Sequence, residues 1–267
     1  MRRIRAGRHR PNPPAFLSIA DGFAGGFRAA VNILLLRPGD NWLDATTVHI
    51  TDHRADHLRQ VLRSAVGESI RVGVVGGQRG DALIEAIDAS GVTLRVALSE
   101  LPPPRHRFDI VLALPRPKML RRILRTVAEY GVCNLHLINS ARVEKSFWQT
   151  PLLSTDKVEE ALMAGMERAR DTMAPVVHQH QLFRPFVEDQ LSTICAGRPC
   201  WLAEMGSALA LSATPAVPAV VMIGPEGGFV PFELELAQSV IAQPVHLGTR
   251  VLSVDTALTA ALALGWG

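Results

Sequence analysis

Val220-Val221-Met222-Ile223-Gly224-Pro225-Glu226-Gly227-Gly228-Phe229 is the stretch on which the reading of this chain turns. A short apolar run empties into a turn rich in Gly and Pro, and a helical pattern follows, so it reads as strand, tight turn and helix. About twenty residues on, Val245-His246-Leu247 reaches Gly248, and Arg250-Val251-Leu252-Ser253-Val254-Asp255-Thr256-Ala257 leads into an apolar helix. Glycines let the backbone approach a flat ligand such as an adenine or a ribose and offer it N–H and C=O groups. Each turn alone reads equally well as an ordinary connection needing positive φ. Two side by side favour a pocket.

Upstream of that pair, the grammar is strands alternating with helices from residue 108 onward. Apolar runs at 108–114, 135–138, 200–203, 219–223 and 245–247 read as strands, and 118–130, 155–172, 186–195, 232–241 and 255–264 read as helices. This pattern predicts a parallel α/β sheet. In the first of these helices, Met119, Leu120, Ile123, Leu124 and Val127 share one face while Arg121, Arg122 and Arg125 share the other. With Arg105, Arg107, Arg116 and Lys118 they form a basic cluster against a single acid, Asp109, the pattern of a phosphate-binding surface.

Between residues 32 and 101 the text changes to short strands and turns. Runs at 33–36, 47–50, 69–75, 81–87 and 92–98 predict a small barrel. One helix interrupts them at 57–63, with Leu58, Val61 and Leu62 facing inward and Arg59 and Arg63 outward, either a phosphate-gripping face or a solvated one. Pro102-Pro103-Pro104 makes a stiff connector. The expected organisation is therefore 31–104 as one domain and 105–267 as another. Residues 1–30 show no period and receive no fold: a disordered segment or a mis-called start, with Val31 as the alternative first residue. A chain starting there is expected to melt as the full chain does.

Composition bounds the rest. At 267 residues and 48% hydrophobic content there is ample core, and no apolar run approaches the length of about eighteen residues that a membrane span needs. The formal charge of +3 is a tail effect, since residues 1–30 hold six Arg and one Asp, leaving 22 basic against 24 acidic residues. Cys133, Cys195 and Cys200 form an odd set without zinc spacing, which suits a reducing cytoplasm. His178-Gln179-His180 lacks neighbouring Cys, Asp or Glu and reads as a surface strand end rather than a metal pair. Nucleotide-binding, zinc-hydrolase and serine-hydrolase motifs are absent. No metal is expected.

Two terminal motifs, 223–229 and Leu247-Gly248-x-Arg250-x-Leu252-x-x-Asp255-Thr256-Ala257, resemble the signature of the RsmE family of S-adenosylmethionine-dependent enzymes. Its members methylate N3 of a uridine in small-subunit ribosomal RNA. Residues 57–63 resemble the family's RNA-binding barrel of the PUA-like kind. Residues 114–120, 143–148 and 165–172 resemble its catalytic stretches. The resemblance implies a SPOUT-type α/β domain with a trefoil-knotted parallel sheet, a smaller amino-terminal PUA-like β-barrel, a homodimer, and a cytoplasmic protein acting on small-subunit ribosomal RNA or the assembling subunit. Apolar helix faces near the terminus, Leu258, Ala261 and Leu262 among them, are expected to pack across the two-fold.

By position, the resemblance puts the cofactor against Leu202, Gly224, Pro225, Glu226, Gly227, Leu247, Gly248, Leu252 and Ser253. N3 of uracil must lose a proton before it attacks a sulfonium methyl; Asp255 and Glu226 are the candidate bases, and Arg250 and Arg170 the candidate stabilisers of the charged base. Asp255 also stands where it would cap the last helix. RNA contacts fall to Arg59, Arg63, Arg116, Lys118, Arg121, Arg122 and Arg125. Ser253 replaces a family arginine, Asp255 a glutamate, Arg168 a glutamine, and Glu204 stands where a histidine is common. The runner-up reading is a weak or silent homologue that binds ribosomal RNA or the assembling subunit.

Overall fold

The computed structural model describes residues 32–266, so the expectations for residues 1–30 and for a start at Val31 lie outside it. Two six-stranded sheets account for the described chain. The first contains β1 (Leu34–Leu36), β2 (Asn41–Trp42), β3 (Thr47–Ile50), β4 (Ser69–Val74), β5 (Arg79–Asp88) and β6 (Gly91–Glu100) in the order β1-β4-β5-β6-β3-β2. All its pairings are antiparallel except β1 with β4. Alternation at period two sends Ala82 and Ile84 of β5 and Val92, Leu94 and Val96 of β6 to one buried face.

The helix expected at 57–63 begins earlier. Asp52 caps it by accepting from the Arg54 N–H, α1 covers His53–Asp56, and a wider π turn runs over His57–Val61. The wider turn rotates later side chains out of the predicted stripe: Leu58 is buried, but Val61 and Leu62 are 65% and 37% exposed. Arg54 sits buried beneath this segment, its guanidinium bound to Asp40, Asp52 and the Leu35 carbonyl.

The second sheet is parallel throughout. It contains β7 (Phe108–Ala113), β8 (Asn134–Ile138), β9 (Val176–His180), β10 (Cys200–Ala203), β11 (Ala219–Ile223) and β12 (Ala242–Val245) in the order β12-β10-β11-β7-β8-β9. Central strands β7 and β11 are buried along their whole length, which is why they read as unbroken apolar runs. The intervening helices are α2 (Pro117–Glu129), α3 (Thr155–Ala169), α4 (Phe183–Pro185), α5 (Leu191–Cys195), α6 (Pro231–Val240) and α7 (Val254–Leu264). A π turn at Phe186–Gln190 joins α4 to α5.

Three expectations need correction. α3 stops at Ala169 rather than 172 because Arg170 adopts a left-handed φ of 54°. The last strand is 242–245, not 245–247, since Val245 is its final residue in register with β10. Leu258, Ala261 and Leu262 are wholly buried in the core of this chain, so these three positions have no surface to offer a second copy.

The sheets touch where α3 ends. Ile33 N–H donates to the Glu167 carbonyl at 3.1 Å, Gly76 N–H to Thr172 at 2.8 Å, and the Thr172 hydroxyl to Gly77 at 2.5 Å. Ile33 and Leu35 complete the second sheet's core. No helix among the described residues is long and apolar enough to cross a membrane.

Candidate active site

Parallel sheets place crevices at the carboxyl ends of their strands. Here the ends of β10, β11 and β12 open into a cavity of about 450 Å³, lined by residues 203–205, 223–229, 247–248 and 250–252 with Leu234, Val254 and Ala257. Both glycine turns thus meet in one cavity. Their glycines serve different needs. Gly248 has φ +135° with nothing near its missing side chain, whereas a Cβ on Gly227 would lie 2.9 Å from Arg142 Cδ, and one on Gly224 would lie 3.1 Å from the Phe229 ring. Phe229 is itself held against Phe183, ring centroids 5.7 Å apart.

The charged rim draws on α2. Arg116 lies 3.9 Å from Glu226, and Arg122 lies 3.4 Å from Asp255. Ser253 Oγ donates to Asp255 Oδ1 at 2.6 Å and lies 2.9 Å from Thr256 Oγ1. That hydroxyl, aided by backbone N–H groups and by Arg122, holds the Asp255 carboxyl below its ordinary pKa. Asp255 does not cap α7 as expected: Ser253 occupies the cap position and Asp255 stands in the first turn, where its charge suits the helix dipole. Arg250 is an exposed member of the cavity wall. At a concave mouth a carboxylate can accept a proton from a weak acid, and an arginine beside it can stabilise the anion left behind.

The fold gathers Gly224, Pro225, Glu226, Gly227, Leu247, Gly248, Arg250 and Leu252 at the cavity and sets Ser253 and Asp255 beside it. Leu202 is fully buried within β10, while its neighbours Ala203, Glu204 and Met205 line the cavity instead. Arg170 is far along the other direction: it precedes β9, whose first residue pairs with the first residue of β8, so it lies at the amino ends of the strands. Arg59 bonds Asp56 and the Asp88 carbonyl, Arg63 lies past the π turn at φ 50°, and Arg121 binds Glu160 of α3 at 2.8 Å. Lys118 is exposed, and Arg125 is half-buried on the same helix.

Two residues that sequence reading passed over shape this region. Arg142 donates to the Gly227 carbonyl, and the buried carboxylate of Glu233 accepts from the Ala141 and Val230 N–H groups at 2.7 and 3.0 Å. Glu233 was findable, since it sits three residues past the turn where a helix-start carboxylate belongs. Arg142 lies in an aperiodic loop with no such signal. His178 and His180 stack with His136 on the sheet face, centroids 4.3 and 5.4 Å from it. Among the described residues no group of three or more His, Cys, Asp or Glu is arranged to hold a metal.

A family profile described as RNA methyltransferase domain matches residues 102–266. The chain belongs to that RNA methyltransferase family. Its curated relatives bear out the RsmE resemblance. It is 26% identical over 243 residues to the ribosomal RNA small subunit methyltransferase E of Treponema pallidum, covering 88% of this chain and 90% of that one. The protein of the same name from Synechocystis is 29% identical over 225 residues, covering 81% and 72%. Among solved structures, the small subunit methyltransferase E of Neisseria gonorrhoeae, bound to S-adenosyl methionine, aligns with a TM-score of 0.68 at 20% identity, covering 86% and 95%. A methyltransferase of Legionella pneumophila, in complex with the same cofactor, aligns at 0.69 and 21%, covering 87% and 96%. The profile covers the second sheet alone, whereas the relative from Treponema pallidum matches 88% of the chain and so reaches into the first.

Proposed function

We propose that the chain is an S-adenosylmethionine-dependent methyltransferase acting on N3 of a uridine in small-subunit ribosomal RNA. One observation carries the reading: the two motif turns converge on a single cavity whose volume lies in the range of ligand sites and whose edge carries Glu226, Arg250 and Asp255. The fit to the cofactor is supported by the open space beside Gly248 and the apolar wall of Ile223, Phe229, Leu234 and Leu252. When bound, the cofactor supplies a methyl group on a sulfonium. In this reading the backbone at 224–227 and 247–248 holds its flat groups, Asp255 or Glu226 takes the N3 proton, and Arg250 balances the charge left on the uracil. Arg170, at the amino ends of the strands, is outside this cavity and is not assigned that role in this reading.

The same reading takes the first sheet as a PUA-like barrel within 31–104, the second as a SPOUT-type knotted domain within 105–267, and the working form as a cytoplasmic homodimer. RNA phosphates fall to Lys118, Arg116, Arg121, Arg122 and Arg125 on and before α2, with Arg59 and Arg63 on the first sheet. The ion pair that Arg121 makes with Glu160 is exposed on both sides, hence weak enough for a phosphate to displace.

A second reading, a silent RNA-binding homologue, draws on the engagement of Asp255 by both Ser253 and Arg122, which lowers its basicity. Mapping modified bases in small-subunit RNA from cells with and without the gene separates the two. Loss of a single N3-methyluridine with the gene supports the enzyme. An unchanged map together with retained RNA binding supports the silent homologue.

A further inference from the structure

The loop after β8 is tied to the cavity wall at two adjacent residues. Ala141 N–H reaches the buried carboxylate of Glu233, whose other oxygen holds Val230 N–H just ahead of α6. Next in the chain, Arg142 Nη1 donates to the Gly227 carbonyl and, at 3.4 Å, to the Gly228 carbonyl. The Arg142 stem also occupies the space a Gly227 side chain would need. Opposite, Gly228 at φ +72° returns its N–H to the Pro225 carbonyl at 2.8 Å and closes the turn.

In a trans peptide the carbonyl of one residue and the N–H of the next point opposite ways, so fixing two successive carbonyls fixes the N–H groups behind them. We infer that Arg142 is a positioning residue: from outside the cavity it sets the shape of the 225–228 turn, and with it the backbone that a bound cofactor meets and the placement of Glu226. The inference rests on the functional reading above. Arg142 is exposed and its partners are carbonyls, so removing it strands no buried charge and the fold should survive. A lysine keeps the charge but loses the planar fork.

Hydrogen exchange over residues 224–230, calorimetric titration with S-adenosylmethionine and thermal melting, on full-length wild type, R142A and R142K, decide the matter. Expected for R142A are faster exchange in that segment, an unchanged melting temperature and cofactor affinity lowered about tenfold, the scale of one charged hydrogen bond. R142K should fall between. A binding wild type beside an R142A variant with unchanged exchange or affinity overturns the inference, as does lowered stability with normal affinity. A wild type that binds no cofactor overturns the functional reading instead, and the exchange comparison then still decides whether Arg142 holds the turn.

Discussion

Ser253 and Asp255 form a local pair at the start of α7. The serine hydroxyl donates to the carboxylate at 2.6 Å, favouring its charged form, and that contact is the largest cause of the lowered Asp255 pKa. If Asp255 takes the substrate proton, Ser253→Ala should raise its pKa and move the acidic limb of the pH–rate profile to higher pH, because the carboxyl must be deprotonated to act. An unmoved limb would assign the limb to another group, Glu226 first. The sequence made the glycine turns legible because Gly beside Pro, at the end of an apolar run, leaves few alternatives. It did not reveal that Gly227 answers to Arg142 rather than to open space, since that contact joins residues 85 positions apart.

At the scale of elements, hydrophobic period identified most strands and helices, the helical stretch at 186–195 among them. It missed the short β2 and the edge strand β9, whose Val-Val-His-Gln-His has no clean alternation, and it misjudged the inward stripe at 57–63, where a π turn changes the period. The paired histidines of β9 read as a surface strand end; register with β8 turns them into a stack on His136. Burial first, then the neighbouring His178 and His180 and, on the other side, Arg198, push the His136 pKa down to about 4, with Asp109 opposing. His136 is therefore neutral in the fold while its unfolded counterpart takes a proton as pH falls below about 6.5. Its contribution is intact above that pH and is lost progressively down to pH 4, by up to about 3 kcal/mol. Denaturant titrations across pH 7 to 4 on wild type and His136→Phe should show a flatter decline in the variant; equal slopes would deny the stack this role. Along α2, charges that read as one face divide between two neighbours, Arg121 toward α3 and Arg122 toward Asp255. Lys118→Ala with Arg121→Ala should weaken RNA binding for any sequence and lower the log–log salt slope by about 0.9 per lost contact, leaving cofactor affinity alone. A slope that stays as in wild type would remove α2 from the RNA surface.

For the molecule as a whole, what links the two sheets was not legible, because it consists of contacts between segments distant in sequence. β1 belongs by pairing to the first sheet, yet Ile33 and Leu35 are buried in the core of the second. Gly73 on β4 marks how close the two come: a Cβ there would lie 2.5 Å from Thr172 Cγ2 and 2.9 Å from Ile33 Cδ1. Its φ is not in the left-handed region, so only space excludes a side chain. A shared core of this kind should make both sheets unfold together, giving one calorimetric transition. Gly73→Val must displace the Thr172 and Ile33 side chains that join the sheets, at an overpacking cost of about 1–3 kcal/mol. Its melting temperature should fall by several degrees, on the scale of about 2–4 °C per kcal/mol for a chain of this size. Gly39→Ala, at an open turn with nothing within 4 Å, is the matched control and should melt as wild type does. Two transitions in the wild type, or a Gly73→Val variant as stable as the control, would mean that the first sheet folds and moves independently, and that RNA held there is not rigidly placed relative to the cavity.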